Sequence, residues 1–234
     1  MEEALSLVEA TARAKERRCF YFVNADCLNI SARDPEYHRV LARPDAIVFG
    51  DGAGIRLAGA LSRQHVRDNV NGTDMFPLLC QASARSGHSI FLLGARPGVA
   101  EEVAVRMEKE TPGLRFAGTH HGYFSAEETP AVVEAINASG ADILLVALGA
   151  PRQERFIADH RAALAPSVAM GVGGLFDFYS GRIPRAPILL RRARLEWTWR
   201  LAMEPRRMWR RYLIGNFAFV SRVVWWQLQG RNGS

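Results

Sequence analysis

The sequence predicts an α/β protein, a mostly parallel sheet with helices on both faces, followed by a basic, tryptophan-rich helical C-terminal appendage. Three observations carry this. Short apolar runs alternate with helix-period segments from Leu5 to Val172, the pattern of repeated βα units. One of those runs, Ala46-Ile47-Val48-Phe49, stops at a carboxylate set among glycines, Gly50-Asp51-Gly52-Ala53-Gly54, where a helical pattern begins. Finally, the composition breaks near Gly181 to Pro187, where Pro184 and Pro187 punctuate the chain. From Arg185 to Ser234 there are eleven arginines against Glu196 and Glu204, a local balance of +9 in a chain of +6, so the first 184 residues carry −3. All five tryptophans lie in that same basic stretch. The chain therefore divides into a Rossmann-like α/β domain over 1–184 and an appendage over 185–234.

Taken in order, Leu5 to Lys15 has apolar positions at helical spacing, and Cys19 to Val23 is a strand ending at Asn24-Ala25-Asp26. A short helix around Pro35 to Ala42 leads to the Ala46 run, which reads as the central strand, apolar enough to be buried on both faces. The glycines after it let the backbone turn sharply and leave room for a ligand. Asp51 then sits at the carboxyl end of a strand, the edge where open α/β sheets bind ligands. Local pattern alone equally allows Asp51 to be no more than the cap of the helix that follows. Phe76 to Ser86 is a helix closed by Gly87, Ser89 to Leu93 a strand, and Pro97 begins a helix running to Glu110. Leu114 to Gly118 is a weaker strand, Glu127 to Asn137 a helix and Asp142 to Leu148 a strongly apolar strand. Gly149 to Glu154 is the next strand-to-helix turn, and Ser167 to Val172 the last strand.

Composition narrows the class. A chain of 234 residues with 48% hydrophobic content buries one good core, which excludes a disordered chain and a membrane-spanning bundle. Cys19, Cys27 and Cys80 form no C-x-x-C pair and leave one thiol over under any pairing, which points to a reducing compartment. The segment Met1 to Arg18 has acidic residues where a signal peptide is basic, so a cytoplasmic protein is expected.

The loops select among chemistries. There is no G-x-x-x-x-G-K-[ST] for a nucleoside triphosphate and no G-x-S-x-G elbow for a hydrolase. Gly50 to Gly54 half matches the dinucleotide fingerprint, but its third glycine comes one residue early and a carboxylate stands where pyrophosphate would sit. A nicotinamide-dependent oxidoreductase would explain this turn but not the tail, and a non-catalytic membrane scaffold would explain the tail but leave Asp51 idle. His120-His121 invites a metal, yet neighbouring side chains on a strand point to opposite faces and no cysteine lies near them in sequence.

In the appendage, Arg200, Arg207 and Arg210 share a face if 196–211 is mostly helical, with Pro205 as a break. The alternatives are a solvated basic face or a nucleic-acid patch; no nucleic-acid module accompanies the arginines, so no nucleic-acid partner is expected. Tyr212 to Trp226 is apolar but fifteen residues long and interrupted by Asn216 and Arg222, short of the roughly 20 that span a bilayer. It suits the interface, with tryptophans at headgroup level and arginines on anionic lipid.

An ordered set of motifs runs from about Tyr21 to Tyr212. It comprises Asn24-Ala25, Asp51-Gly52-x-Gly54, Asn71-Gly72-Thr73-Asp74, Leu93-Gly94 with Pro97-Gly98, Gly118 with His121-Gly122-Tyr123-Phe124, and Ala147 to Glu154. It continues through Gly171-Val172-Gly173-Gly174 with Phe176-Asp177, Arg185-Ala186-Pro187, Leu195-Glu196-Trp197, Arg200-Leu201 and Glu204-Pro205. In this order it resembles the WecG/TagA/CpsF glycosyltransferases (glycosyltransferase family 26), whose fold is Rossmann-like. Asn69 to Pro77 looks most like the glucosyltransferases of xanthan-type exopolysaccharide assembly, while other members transfer N-acetylmannosamine or its uronic acid.

The resemblance implies inverting, metal-independent transfer of glucose or an N-acetylmannosamine-type sugar from a UDP-sugar to a polyprenyl-diphosphate-linked sugar, without cofactor. Such a step needs one base for the acceptor hydroxyl, and Asp51 matches the family's proposed base. It also needs the departing diphosphate neutralised. The sequence contains no Asp-x-Asp pair to hold a metal, which leaves arginines and helix N-termini for that task. By resemblance the substrate-binding positions are Asn24, Gly52, Asn69, Asn71, Asp74, Gln153, Arg200, Arg207 and Arg210. Gln153 matches a position near the nucleotide, although spacing alone suggests an exposed first-turn glutamine. The three arginines match those that the family is thought to fold over its active site. Two positions depart from the family, which often has Thr at Phe22 and Arg at Asn69. The enzyme is expected on the inner face of the cell membrane, on anionic lipid, with its oligomeric state, homo-oligomers included, left open.

Overall fold

A computed structural model describes residues 1–61, 70–187, 189–190, 196–209 and 214–231. In chain order its elements are α1 (Glu2–Ala14), β1 (Arg18–Val23), α2 (Ala25–Ser31), α3 (Pro35–Leu41), β2 (Ala46–Gly50), α4 (Ala53–Leu61) and α5 (Gly72–Ser86). Then follow β3 (Ser89–Gly94), α6 (Val99–Glu110), β4 (Arg115–His120), α7 (Thr129–Ala138), β5 (Ile143–Ala147), α8 (Arg152–His160), β6 (Val168–Gly171) and α9 (Leu175–Tyr179). The appendage adds α10 (Glu196–Met203), α11 (Pro205–Trp209) and α12 (Gly215–Arg231).

The six strands form one sheet in the order β2-β1-β6-β5-β3-β4, every neighbouring pair parallel. This is the α/β, Rossmann-like arrangement that the alternation of apolar runs and helices requires, since parallel neighbours need a crossover between them. Strands buried on both faces feed two cores. Phe20, Ile90, Leu92, Leu145 and Met170 point to one face, where α1, α5, α6 and α9 cover them. Tyr21, Phe91, Leu93, Leu144 and Val146 point to the other, under α2, α3, α7 and α8. Every second residue changes face, so an unbroken apolar run is what a two-sided strand needs.

The Ala46 run is not the central strand. It forms β2 at the edge of the sheet, with β1 as its strand neighbour, and Val48 is 44% exposed. Ile47 and Phe49 pack on the first core, but the opposite face of β2 is only partly covered. Hydrophobic periodicity reports which faces can be buried, not how many strands flank a run. The centre is held instead by β6 and β5, with β1 and β3 beside them.

Two helix starts also differ from expectation. Helix α5 begins at Gly72 rather than Phe76, because the Asn71 side chain accepts from the Asp74 N–H at 2.7 Å and caps it early. Pro77 thus lies inside the helix, where it cannot donate to the Thr73 carbonyl; the Tyr179 hydroxyl donates to that carbonyl instead, at 2.7 Å. Helix α6 begins at Val99, after Gly98 in the left-handed region, so Pro97 precedes the helix.

The appendage is helical, and Glu204 separates α10 from α11 just before Pro205, as expected. Helix α12 lies across α2 and α4. Among the described residues no helix is long and apolar enough to cross a membrane.

Candidate functional site

The carboxyl ends of β1 and β2 lie side by side. Val23 pairs with Gly50 in register, and the Asp51 N–H donates to the Val23 carbonyl at 2.8 Å. Asn24 and Asp51 are therefore held on adjacent strand ends. The Asn24 side-chain oxygen accepts from the N–H groups of Asp26 (3.0 Å) and Cys27 (3.2 Å), capping α2; its amide NH2 takes no part in that cap. Asp51 is half-buried, and Gly52 beside it has φ +93° with no heavy atom of the described residues within 4 Å of where a Cβ would stand. A side chain there would be strained by that positive φ.

The Asn71 turn joins the same edge, because the Val70 N–H donates to the Gly50 carbonyl at 3.0 Å. The Asn71 amide donates to one Asp74 carboxylate oxygen at 2.8 Å, and Arg185 donates to the other at 2.6 Å. Asn71 and Asp74 thus brace each other, and the chain after α9 is fastened to the first turn of α5 through Arg185. The Arg185 guanidinium also reaches the Tyr179 oxygen at 3.5 Å. Burial pushes the Tyr179 hydroxyl up to about 12, more than Arg185 lowers it, so it stays a neutral donor to Thr73.

Gln153 is buried rather than exposed. Its carbonyl oxygen accepts from the Gly149 N–H at 3.2 Å and the Gly173 N–H at 2.9 Å, and its amide donates to Glu154 at 2.7 Å. One side chain thereby ties the turn after β5 to the turn after β6. Gly171 makes room for it, since a Cβ there would lie 3.0 Å from the Gln153 nitrogen. Glu154 is itself fully buried, and burial raises its carboxyl above the ordinary range against the opposing effect of the Gln153 hydrogen bond. Because β6 adjoins β1, the Gln153 junction, Asn24, Asp51, Asn71 and Asp74 share one edge of the sheet.

Phe22 lies at the end of β1, with its ring 5.6 Å from that of Phe49 and 3.2 Å from where a Cβ on Gly72 would stand. The ring therefore floors the site beneath the Asn71 turn. Asn69 and Arg210 lie outside the described residues. Arg200 falls in α10 and Arg207 in α11, but their side chains are likewise outside what is described.

His120 and His121 do not point to opposite faces. Their rings lie 4.6 Å apart, because His121 is already past the end of β4 and escapes strand alternation. They sit at the far edge of the sheet from β2. Among the described residues no group of three or more His, Cys, Asp or Glu side chains is placed to hold a metal ion. All three cysteines are buried and none is in a disulfide.

Sequence reasoning singled out no role for Arg185 or Tyr179. A signal existed: a proline inside a helix leaves one carbonyl without its helical donor, and a polar side chain elsewhere has to supply one.

The arrangement places a half-buried carboxylate, with open backbone beside it, on an edge lined by capped helix starts. That can take a proton from a bound hydroxyl while N–H groups at the helix starts meet a developing negative charge. The glycosyl transferase WecG/TagA/CpsF family model matches residues 1–233. An N-acetylglucosaminyldiphosphoundecaprenol N-acetyl-beta-D-mannosaminyltransferase of Bacillus spizizenii is 36% identical over 181 residues, 77% of this chain and 69% of that protein. The protein of the same name from Bacillus subtilis is 33% identical over 191 residues, 82% of this chain and 73% of that one. With a family model spanning nearly every residue, this chain belongs to the WecG/TagA/CpsF family of glycosyltransferases.

Proposed function

We propose that this glycosyltransferase moves a sugar from a UDP-sugar to a sugar carried on a polyprenyl diphosphate, with Asp51 as the base. The observation that carries the reading is Asp51 itself, half-buried on a strand end beside Asn24 and next to the open Gly52. The acceptor hydroxyl gives its proton to Asp51 as its oxygen bonds to the anomeric carbon. The bond from that carbon to the diphosphate breaks, and the electron pair leaves on UDP. Attack from the face opposite UDP inverts the anomeric centre. Arg200, Arg207 and Arg210 neutralise the leaving diphosphate, and no metal is needed. Asn24, Gly52 and Asn69 line the reacting sugars, the braced Asn71–Asp74 turn shapes one wall, and Gln153 holds the turns against which the nucleotide rests.

The relatives' names support a lipid-diphosphate acceptor and favour N-acetylmannosamine over glucose as the sugar moved. The product then enters a bacterial exopolysaccharide or other cell-surface polysaccharide. Residues 185–234 act as the membrane-associating unit on the inner leaflet. The exposed Ile214, Phe217, Val224, Trp225 and Trp226 suit the interface. Arg222 does not face lipid with them, being bonded to Asn29 of α2.

Radiolabel transfer from UDP-N-acetylmannosamine and UDP-glucose to synthetic polyprenyl-diphosphate-N-acetylglucosamine and -glucose tests the reading. Transfer from one donor to one acceptor is expected; no transfer in any pairing overturns it. The same assay with EDTA is expected to keep essentially full activity, and strict dependence on Mg²⁺ or Mn²⁺ would show that the diphosphate is neutralised by a metal after all.

A further inference from the structure

Helix α12 turns one face toward the catalytic unit, away from its exposed Phe217 and Val224. Phe219 is buried there, and its ring lies 3.5 Å from where a Cβ on Gly54 would stand. The same Cβ would be 2.9 Å from that of Ala25, so α2 and α4 approach at their first turns only because residue 54 is glycine. Asn29, on α2 and 5% exposed, directs both ends of its amide at α12. Its NH2 donates to the Gly215 carbonyl at 2.7 Å, and its oxygen accepts from the Arg222 guanidinium. Helix α2 starts at the Asn24 cap, and α4 starts two residues after Asp51. The appendage is thus fastened to the two helices whose first turns adjoin Asn24 and Asp51.

We infer that Asn29 is a positioning residue, which acts through α12 to fix α2 against α4 and thereby sets Asn24 relative to Asp51. An apolar contact such as Phe219 supplies adhesion but allows a helix to rotate or slide, whereas two directional hydrogen bonds from one buried amide admit a single register. Adhesion to lipid does not need that register, because Phe217 and Val224 face away from α2 and α4 and Trp226 lies a turn beyond Arg222. Placement of the two catalytic turns does need it. The inference rests on Asp51 being the base, and its test is chosen to be readable without activity.

The experiment compares full-length protein with Asn29→Leu, Arg222→Leu and the double variant, first by amide hydrogen exchange. Exchange at 24–28 and 51–58 is expected to quicken at least tenfold in Asn29→Leu, less in Arg222→Leu, which keeps the bond to Gly215, and no further in the double than in Asn29→Leu, since that change already removes both bonds. Binding to phosphatidylglycerol vesicles is expected to stay within about twofold, with the exposed aromatic side untouched. In the transfer assay kcat is expected to fall about tenfold or more with KM for the UDP-sugar nearly unchanged, as for a misplaced catalytic group. Unchanged exchange at those segments in Asn29→Leu overturns the inference, as does a double variant showing the sum of both singles. If exchange responds as expected but no donor–acceptor pair supports transfer by the unaltered protein, the proposed reaction fails and the coupling stands.

Discussion

Asp51→Asn is expected to lower transfer by about 10²–10⁴-fold, the usual loss when a general base is removed, while UDP still binds. Asparagine keeps the volume and leaves the main chain as it is, so the Asp51 N–H bond to Val23 and the left-handed Gly52 survive the change. What disappears is the carboxylate charge and with it the capacity to take the acceptor's proton. Transfer kinetics paired with calorimetric titration of UDP separate these outcomes. Turnover near normal in the variant would remove Asp51 from the chemistry and return it to the role of a turn residue.

Arg200→Ala and the pair Trp225→Ser with Trp226→Ser are expected to fail in opposite ways. Loss of one charge-stabilising donor to a departing diphosphate costs on the order of 10²-fold in transfer. The apolar surface that meets lipid is unchanged in Arg200→Ala, so vesicle binding should survive. The two tryptophans are each about 60% exposed. Replacing them should weaken binding to phosphatidylglycerol vesicles roughly tenfold or more through lost interfacial burial. Transfer to a short-chain, water-soluble acceptor should persist in that variant. Normal transfer by Arg200→Ala to the soluble acceptor would make the appendage an anchor only.

Much of the architecture was legible because two-sided strands leave a strong trace. Cys19 to Val23, Ser89 to Leu93 and Asp142 to Leu148 became β1, β3 and β5 within a residue or two at their ends. The edge position of β2 left no trace, since four apolar residues look the same with one strand neighbour as with two. The start of α5 was hidden because Pro77 reads locally as a helix beginning, and only the distant Tyr179 hydroxyl makes it tolerable inside one. At the site, Asp51 was legible from its glycines and its place after a strand. The burial of Gln153 was not, because the two N–H groups it serves belong to Gly149 and Gly173, brought together only by the pairing of β5 with β6. Asn29 is likewise unremarkable in its own helix; its partners stand 186 and 193 residues away.

The edge position of β2 also decides from which side a tethered substrate can arrive. Strands in a sheet are about 4.8 Å apart, so a carboxylate on β6 would stand roughly 10 Å further inside the rim than one on β2. A polyprenyl diphosphate is held at the bilayer surface by its tail and brings its sugar only as far as the headgroup region allows. In the proposed reaction, with Asp51 at the end of the outermost strand and α12 lying across the neighbouring α2 and α4, the sugar would meet the base at the flank of the sheet while the lipid stays in the membrane.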